Sequence, residues 1–308
     1  MNSQLTMNSR LLRGDCIPIM QELIKQGLRV DMIAADLPYG ITSRNKWDVI
    51  IPFDELWDCY RQILKPNGAI ALTARQPFTS QLIMSNPDWF KFSMVWRKNL
   101  KTGNLNARKR PMVGFEDVVV FYDKQPTYNP QKIPRTFQQK AGNKKNSKTQ
   151  NYGKQREDYV DRQSDWLMPD DVLDYEDGFF HIDTLDEFEG GGAPMLYYEC
   201  VHNSQGKVHP TQKPVALFEW LVRSFTNEGD TVMDNCMGSG TNGCVTRKTN
   251  RSFVGIERDP KYFQIALNRI DMAFSPNLFE SDRLWETRQI SDDEWEIFRR
   301  ASVSEVKA

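Results

Sequence analysis

The sequence predicts a doubly wound α/β sheet, mostly parallel, interrupted by one long irregular insertion. Three observations support this. Short apolar runs alternate with amphipathic stretches in both parts of the 308-residue chain, as they must where parallel strands are joined by crossover helices. A glycine loop connects one of these runs to a helical stretch near residue 240. Between residues 126 and 205 the periodicity stops and a separate charge pattern takes over.

The apolar run from Val30 reads as a buried strand ending on the carboxylate of Asp36. Residues 53–64 follow with helical spacing and are ended by Pro66-Asn67-Gly68, and residues 69–73 form the next strand. Residues 78–84 suit a helix, and residues 90–96 and 118–122 suit strands. Order resumes after the insertion with a helix at 215–225, a strand at 231–234, a helix at 240–248, a strand at 252–257 and a helix at 260–270. The tail after residue 275 contains Trp285 and a helix expected around 292–300, packed on the core or on a second copy of the chain, which leaves a homodimer open.

Composition excludes several classes. Forty Lys plus Arg face 41 Asp plus Glu, a net charge of −1, so any nucleic-acid surface must arise from local segregation of charge. No apolar run approaches the roughly 20 residues that span a bilayer, and the polar start lacks a signal-peptide core, so a soluble, cytoplasmic protein is expected. Five scattered cysteines (Cys16, Cys59, Cys200, Cys236, Cys244) form neither a disulfide framework nor a zinc site, and the three histidines have no ligand spacing, so no metal is expected.

Charge segregation is strong in the middle of the chain. Arg97, Lys98, Lys101, Arg108, Lys109 and Arg110 stand together without an acidic residue, for which phosphate contact is the natural reading and an ordinary basic loop the alternative. A second basic stretch, from Lys132 to Arg156, is followed by an acidic run over residues 157–189 whose composition is that of a solvated segment.

Two segments carry chemistry. Asp36-Leu37-Pro38-Tyr39 places a carboxylate, a backbone carbonyl and an aromatic ring on one proline-stiffened turn, an arrangement that can hold a flat amine. Asp234-Asn235-Cys236-Met237-Gly238-Ser239-Gly240-Thr241 runs from a strand through a glycine loop into a helix, with Glu257 closing the following strand. Such loops bring the backbone close to a nucleotide, and an acidic residue about 20 positions on accepts ribose hydroxyls. Gly238, Gly240 and Gly243 also satisfy the dinucleotide spacing, so an NAD-dependent oxidoreductase stays open on this motif alone. Asp234 favours instead a ligand bearing an ammonium and a sulfonium, because it would repel a pyrophosphate. A third segment, His209-Pro210-Thr211-Gln212-Lys213-Pro214, leads into the helix before that strand, where Thr211 could equally serve as a cap.

Together these residues resemble the amino-group DNA methyltransferases that depend on S-adenosylmethionine. Asp36 to Tyr39 is similar to the family's D-P-P-Y motif, Asp234 to Thr241 to its D-x-x-x-G-S-G-T loop, and His209 to Pro214 to its H-P-T-Q-K-P element. The order of motifs is that of the beta class, and Leu11 to Cys16 is similar to the class's opening G-D segment. Leu37 replaces the usual first proline, though its role there is filled by a backbone carbonyl, and Asn235-Cys236 replace the frequent Pro-Phe.

The resemblance implies a Rossmann-like methyltransferase sheet divided into a catalytic half (8–125), a target-recognition insertion (126–205), a cofactor-binding half (206–275) and a tail (276–308). It implies catalysis by Asp36, Leu37, Pro38 and Tyr39 on the exocyclic amine of a flipped base, adenine N6 ahead of cytosine N4. The cofactor would be held by Asp15, Cys16, Asp36, His209, Thr211, Lys213, Asp234, Asn235, Gly238, Ser239, Gly240, Thr241 and Glu257. DNA would be contacted by Lys98, Lys101, Arg108, Lys109 and Arg110. Competing substrates are RNA and protein glutamine, and a scaffold that only binds DNA is a further alternative. Neither a recognition site nor a restriction endonuclease partner can be read from the sequence.

Overall fold

The computed structural model describes residues 9–41, 48–134, 166–167, 169, 171–173, 213–274, 285–291 and 294–299. In chain order its elements are β1 (Ser9–Arg13), α1 (Cys16–Lys25), β2 (Val30–Asp36), α2 (Phe53–Ile63), β3 (Leu64–Ala74), α3 (Phe78–Ser85), β4 (Phe90–Thr102) and β5 (Val113–Phe121). Three two-residue strands follow, β6 (Ile133–Pro134), β7 (Trp166–Leu167) and β8 (Val172–Leu173). The chain continues with α4 (Val215–Phe225), β9 (Thr231–Asp234), α5 (Thr241–Lys248), β10 (Ser252–Glu257), α6 (Pro260–Phe274), β11 (Trp285–Ser291) and β12 (Glu294–Arg299).

The main sheet runs β11-β12-β1-β10-β9-β2-β3-β5-β4-β8. From β1 to β3 the neighbours are parallel, while β5 is antiparallel to both β3 and β4. Strand β2 shows why its sequence is apolar throughout. Ile33 and Ala35 pack into the layer of α1 and α2, Met32 and Ala34 into the layer of α4, so both faces are covered. Phe253 of β10 and Leu11 of β1 meet Phe263, Ala266 and Ile270 of α6.

Connectivity locates the site. After β2 the chain crosses through α2 to β3 on one side; after β9 it crosses through α5 to β10 on the other. The carboxyl ends of β2 and β9 therefore flank a topological switch point, where an open α/β sheet leaves a crevice. Asp36 and Asp234 terminate those two strands.

Several elements depart from expectation. Residues 65–68, expected to be a turn, belong to β3: its pairing shifts from Val30–Leu64 to Met32–Ala69, and the extra residues bulge. Gly68 is required there, since a Cβ would lie 2.8 Å from the Asp31 carbonyl. Strand β4 runs six residues past its expected end at Trp96, to Thr102, carrying part of the basic patch on the sheet. The helix expected around 292–300 is strand β12, paired antiparallel with β1 and β11. The open edge of β1 offers backbone groups that only a strand can satisfy, and Trp295, Ile297 and Phe298 suit a strand. The tail thus extends the core sheet.

Little of the insertion is described. Its first residues dock on the core: Asn129 donates its Nδ2 to the Thr226 carbonyl at 3.0 Å, and the Tyr128 ring lies 5.8 Å from that of Phe225. Strands β6 and β7 pair with each other, and β8 joins β4. All of the acidic run except residues 166–167, 169 and 171–173 lies outside the described residues.

Candidate active site

The turn after β2 is held at its two ends, Asp36 and Tyr39. Asp36 Oδ1 accepts hydrogen bonds from the Tyr39 hydroxyl at 2.7 Å and the Thr73 hydroxyl at 2.5 Å, while Oδ2 accepts one from Lys213 Nζ at 2.7 Å. An ionised carboxylate has about four lone-pair positions, so one, on Oδ2, is left for an incoming donor. Tyr39 stacks on Phe78 with centroids 5.2 Å apart, which fixes the ring against α3. Burial, reinforced by the charge of Asp36, pushes the Tyr39 hydroxyl well above its usual range, so it remains a donor.

Behind this turn sits a charged group that the sequence did not disclose. Glu116 of β5, 7% exposed, pairs with Lys98 and lies 3.5 Å from Lys213. Burial acts to lower the Lys213 pKa, but the carboxylates of Asp36 and Glu116 outweigh it and raise it. Two buried cations thus meet two carboxylates, the pairing that makes burial of such charges tolerable. Lys98 is accordingly not the surface phosphate contact expected of it. Its ammonium is turned inward to Glu116 and lies 5.2 Å from the Trp96 ring centroid, whereas Lys101, Arg108, Lys109 and Arg110 are exposed.

The glycine loop forms the other half. Asp234 is buried, its Oδ1 accepting the Cys236 amide at 3.0 Å and its Oδ2 the Asn242 side chain at 2.7 Å. Burial pushes its carboxyl up to about 7, against those two hydrogen bonds. Asn242 also donates to the Ala34 carbonyl at 2.8 Å and so ties β9 to β2 across the switch point. Glu257 accepts the Gly238 amide at 2.9 Å and the Asp259 amide at 2.8 Å, which closes the loop over β10; burial raises its pKa. Asn235 accepts from the Tyr60 hydroxyl at 2.7 Å, and Asp15 caps α1 through the Ile17 amide at 3.0 Å.

One cavity of about 1160 Å³ joins the two halves, lined by Asp15, Cys16, Asp36 to Tyr39, Lys98, Glu116, Lys213, Asp234 to Ser239, Thr241 and Glu257 among others. Of the expected cofactor residues, Gly240 is not on its wall. A Cβ there would lie 3.0 Å from Ala266, so this glycine serves the contact between α5 and α6 and its positive φ of 79°. Ser239 is buried, its hydroxyl 2.7 Å from Arg269 of α6. His209 and Thr211 lie outside the described residues. Thr73, Glu116, Tyr60, Asn242 and Arg269 were not expected. Each is a polar residue in or beside an apolar run, a weak signal in sequence because its partner is distant.

A doubly wound sheet with two acidic strand ends facing one cavity is a Rossmann-like methyltransferase architecture. Solved structures share this fold: that of the M1.HpyAVI–SAM complex has a TM-score of 0.53 and 21% identity, covering 85% of this chain and 98% of that one. The cytosine-N4-specific PvuII DNA methyltransferase has a TM-score of 0.57 and 16% identity, covering 90% of each chain. The chain belongs to the DNA methylase family of the N6/N4 amino type, whose model matches residues 30–268. It is a DNA methyltransferase, and its methyl donor is S-adenosylmethionine. Curated relatives are the type II methyltransferase M.HpaI of Haemophilus parainfluenzae, 25% identical over 87% of this chain and 76% of that protein, and the DNA adenine methyltransferase YhdJ of Escherichia coli strain K12, 27% identical over 85% and 83%.

Proposed function

We propose that the enzyme methylates N6 of an adenine turned out of duplex DNA, with Asp36 and the Leu37 carbonyl as acceptors for the amine. The observation that carries this reading is the remaining lone pair on Asp36 Oδ2, in a carboxylate whose other positions are filled by Tyr39, Thr73 and Lys213. An exocyclic amine is a poor nucleophile because its lone pair is delocalised into the ring. Two acceptors placed to take both of its protons favour a pyramidal nitrogen with the lone pair free for attack, so the protein's contribution is mainly positioning and electrostatics. Lys213 donates to Oδ2 of Asp36, and the remaining position on that oxygen can take up the proton that the nitrogen sheds. Tyr39 stacks on the extruded base, worth about 1–3 kcal/mol.

The cofactor half fits its ligand by charge. Asp234 is buried without an ion-pair partner among the described residues, and a ligand carrying an ammonium would supply one. Asp15, Cys16, Asn235, Gly238, Thr241 and Glu257 surround the same space, and the Glu257 carboxylate keeps acceptor capacity for ribose hydroxyls beyond the loop amides it holds. When bound, S-adenosylmethionine supplies an electrophilic methyl group on a sulfonium. Lys101, Arg108, Lys109 and Arg110 contact phosphates, and the insertion reads the sequence.

Adenine is favoured by Asp at the first motif position and by the adenine activity in the name of one relative. Sequencing DNA from cells expressing the protein, with modified bases identified, tests the base and its context together. N6-methyladenine in one motif supports the proposal; N4-methylcytosine would assign the other base of the family, and methyl transfer to RNA or protein alone would overturn it.

A further inference from the structure

The connection between β4 and β5 leaves the rim of the cavity and ends on an unprotected apolar side chain. Thr102 and Lys98 line the cavity on the β4 side and Glu116 on the β5 side. Three residues beyond Thr102, Leu105 sits in a single 3-10 turn (Asn104–Asn106) and is 94% exposed. Three residues of chain reach at most about 10 Å, so the side chain stays close to the Thr102 edge of the cavity. Its flanks, Lys101, Arg108, Lys109 and Arg110, are all exposed and cationic, and residues 97–115 contain no Asp or Glu. Leu105 is the most exposed of the large apolar side chains among the described residues, and the charge around it selects a polyanion as its partner.

We propose that Leu105 is a wedge that enters the base stack as the target nucleotide leaves it, with the surrounding Lys and Arg holding the phosphates on either side. Apolar side chains inserted between base steps are a general way to offset unstacking, and the turn supplies one three residues from the cavity-lining Thr102. Asn104 and Asn106 flank it with polar groups that can meet base edges. The proposal rests on the flipped-base reaction above.

The test uses the full-length protein and short duplexes carrying the motif found by modified-base sequencing, with the target base either paired with its complement or placed opposite an abasic site, where extrusion is easier. Single-turnover methylation is followed for wild type and Leu105→Ala. On the paired duplex the variant is expected to be slower by about 10-fold or more, and opposite the abasic site it should return to within about 2-fold of wild type. Leu105→Met, which keeps an apolar wedge, should retain the paired-duplex rate. Equal rates on the paired duplex, or equal losses on both duplexes, overturn the wedge. A change in sedimentation of the variant with equal losses on both substrates also overturns it, making the patch a contact between copies. Absence of methylation by the wild type would instead refute the reaction on which the proposal rests.

Discussion

Single residues set the chemistry through their partners. Asp36 is held by three donors, one of them the Lys213 ammonium, whereas Asp234 is held by two and has no ion-pair partner among the described residues, and burial pushes its carboxyl up to about 7. Asp36→Ala should lower methyl transfer by at least about 100-fold while leaving S-adenosylmethionine binding within about 2-fold, measured by labelled methyl transfer and calorimetry. The elevated Asp234 pKa predicts a pH effect on binding. Below about 7 the ligand-free protein holds a proton on Asp234 that an ammonium-bearing ligand must expel, so cofactor affinity should rise with pH from 5.5 to 7.5 and then level off. Asp234→Asn should bind more weakly and lose this dependence; the same slope in the variant would assign the effect to another group. The motif residues Asp36 and Asp234 were legible in sequence because each closes an apolar run. Glu116 was not, because its meaning lies in Lys98 and Lys213, 18 residues before it and 97 after it.

Elements decide which residues reach the ligand. Helices α5 and α6 pack so closely that a Cβ at Gly243 would lie 2.3 Å from Ile270 Cδ1. Gly243→Val should therefore destabilise by about 1–3 kcal/mol, seen as a lower thermal midpoint, even though this glycine fits a dinucleotide pattern. Strand β4 makes a similar distinction among lysines. Single Ala substitutions at Lys101, Arg108, Lys109 and Arg110 should each lower the slope of log affinity for DNA against log salt by about 1. Lys98→Ala should leave that slope unchanged and lower turnover instead, since it strips Glu116 of its nearer cation. The sequence showed that these residues are basic, but not that β4 continues past Trp96 and turns Lys98 inward.

At the scale of the molecule, two halves separated by the insertion combine into one sheet, and the site exists only where they meet. Asn242 binding both Ala34 and Asp234 is the clearest mark of that junction. The C-terminal hairpin completes the sheet at its other end, where β12 covers the edge of β1. Removing residues 285–308 should leave the cavity's lining intact but expose that edge, lowering the thermal midpoint and promoting self-association, measured by calorimetry and sedimentation. If the truncated protein kept the sedimentation and thermal midpoint of the full-length protein, the hairpin would have no protective role.

By itself the sequence determined the alternation of strands and helices, the order of the motifs and the two acidic strand ends. All of these are local patterns, set by periods of two and 3.6 residues and by turn chemistry within a few positions. Tertiary structure alone decided that the strand ends face one cavity, that Glu116 and Lys98 lie within it, that Gly240 serves packing and that the tail is a strand. Each of these depends on pairing between residues distant in the chain, and no local periodicity records which distant partner a polar side chain or an open strand edge will find.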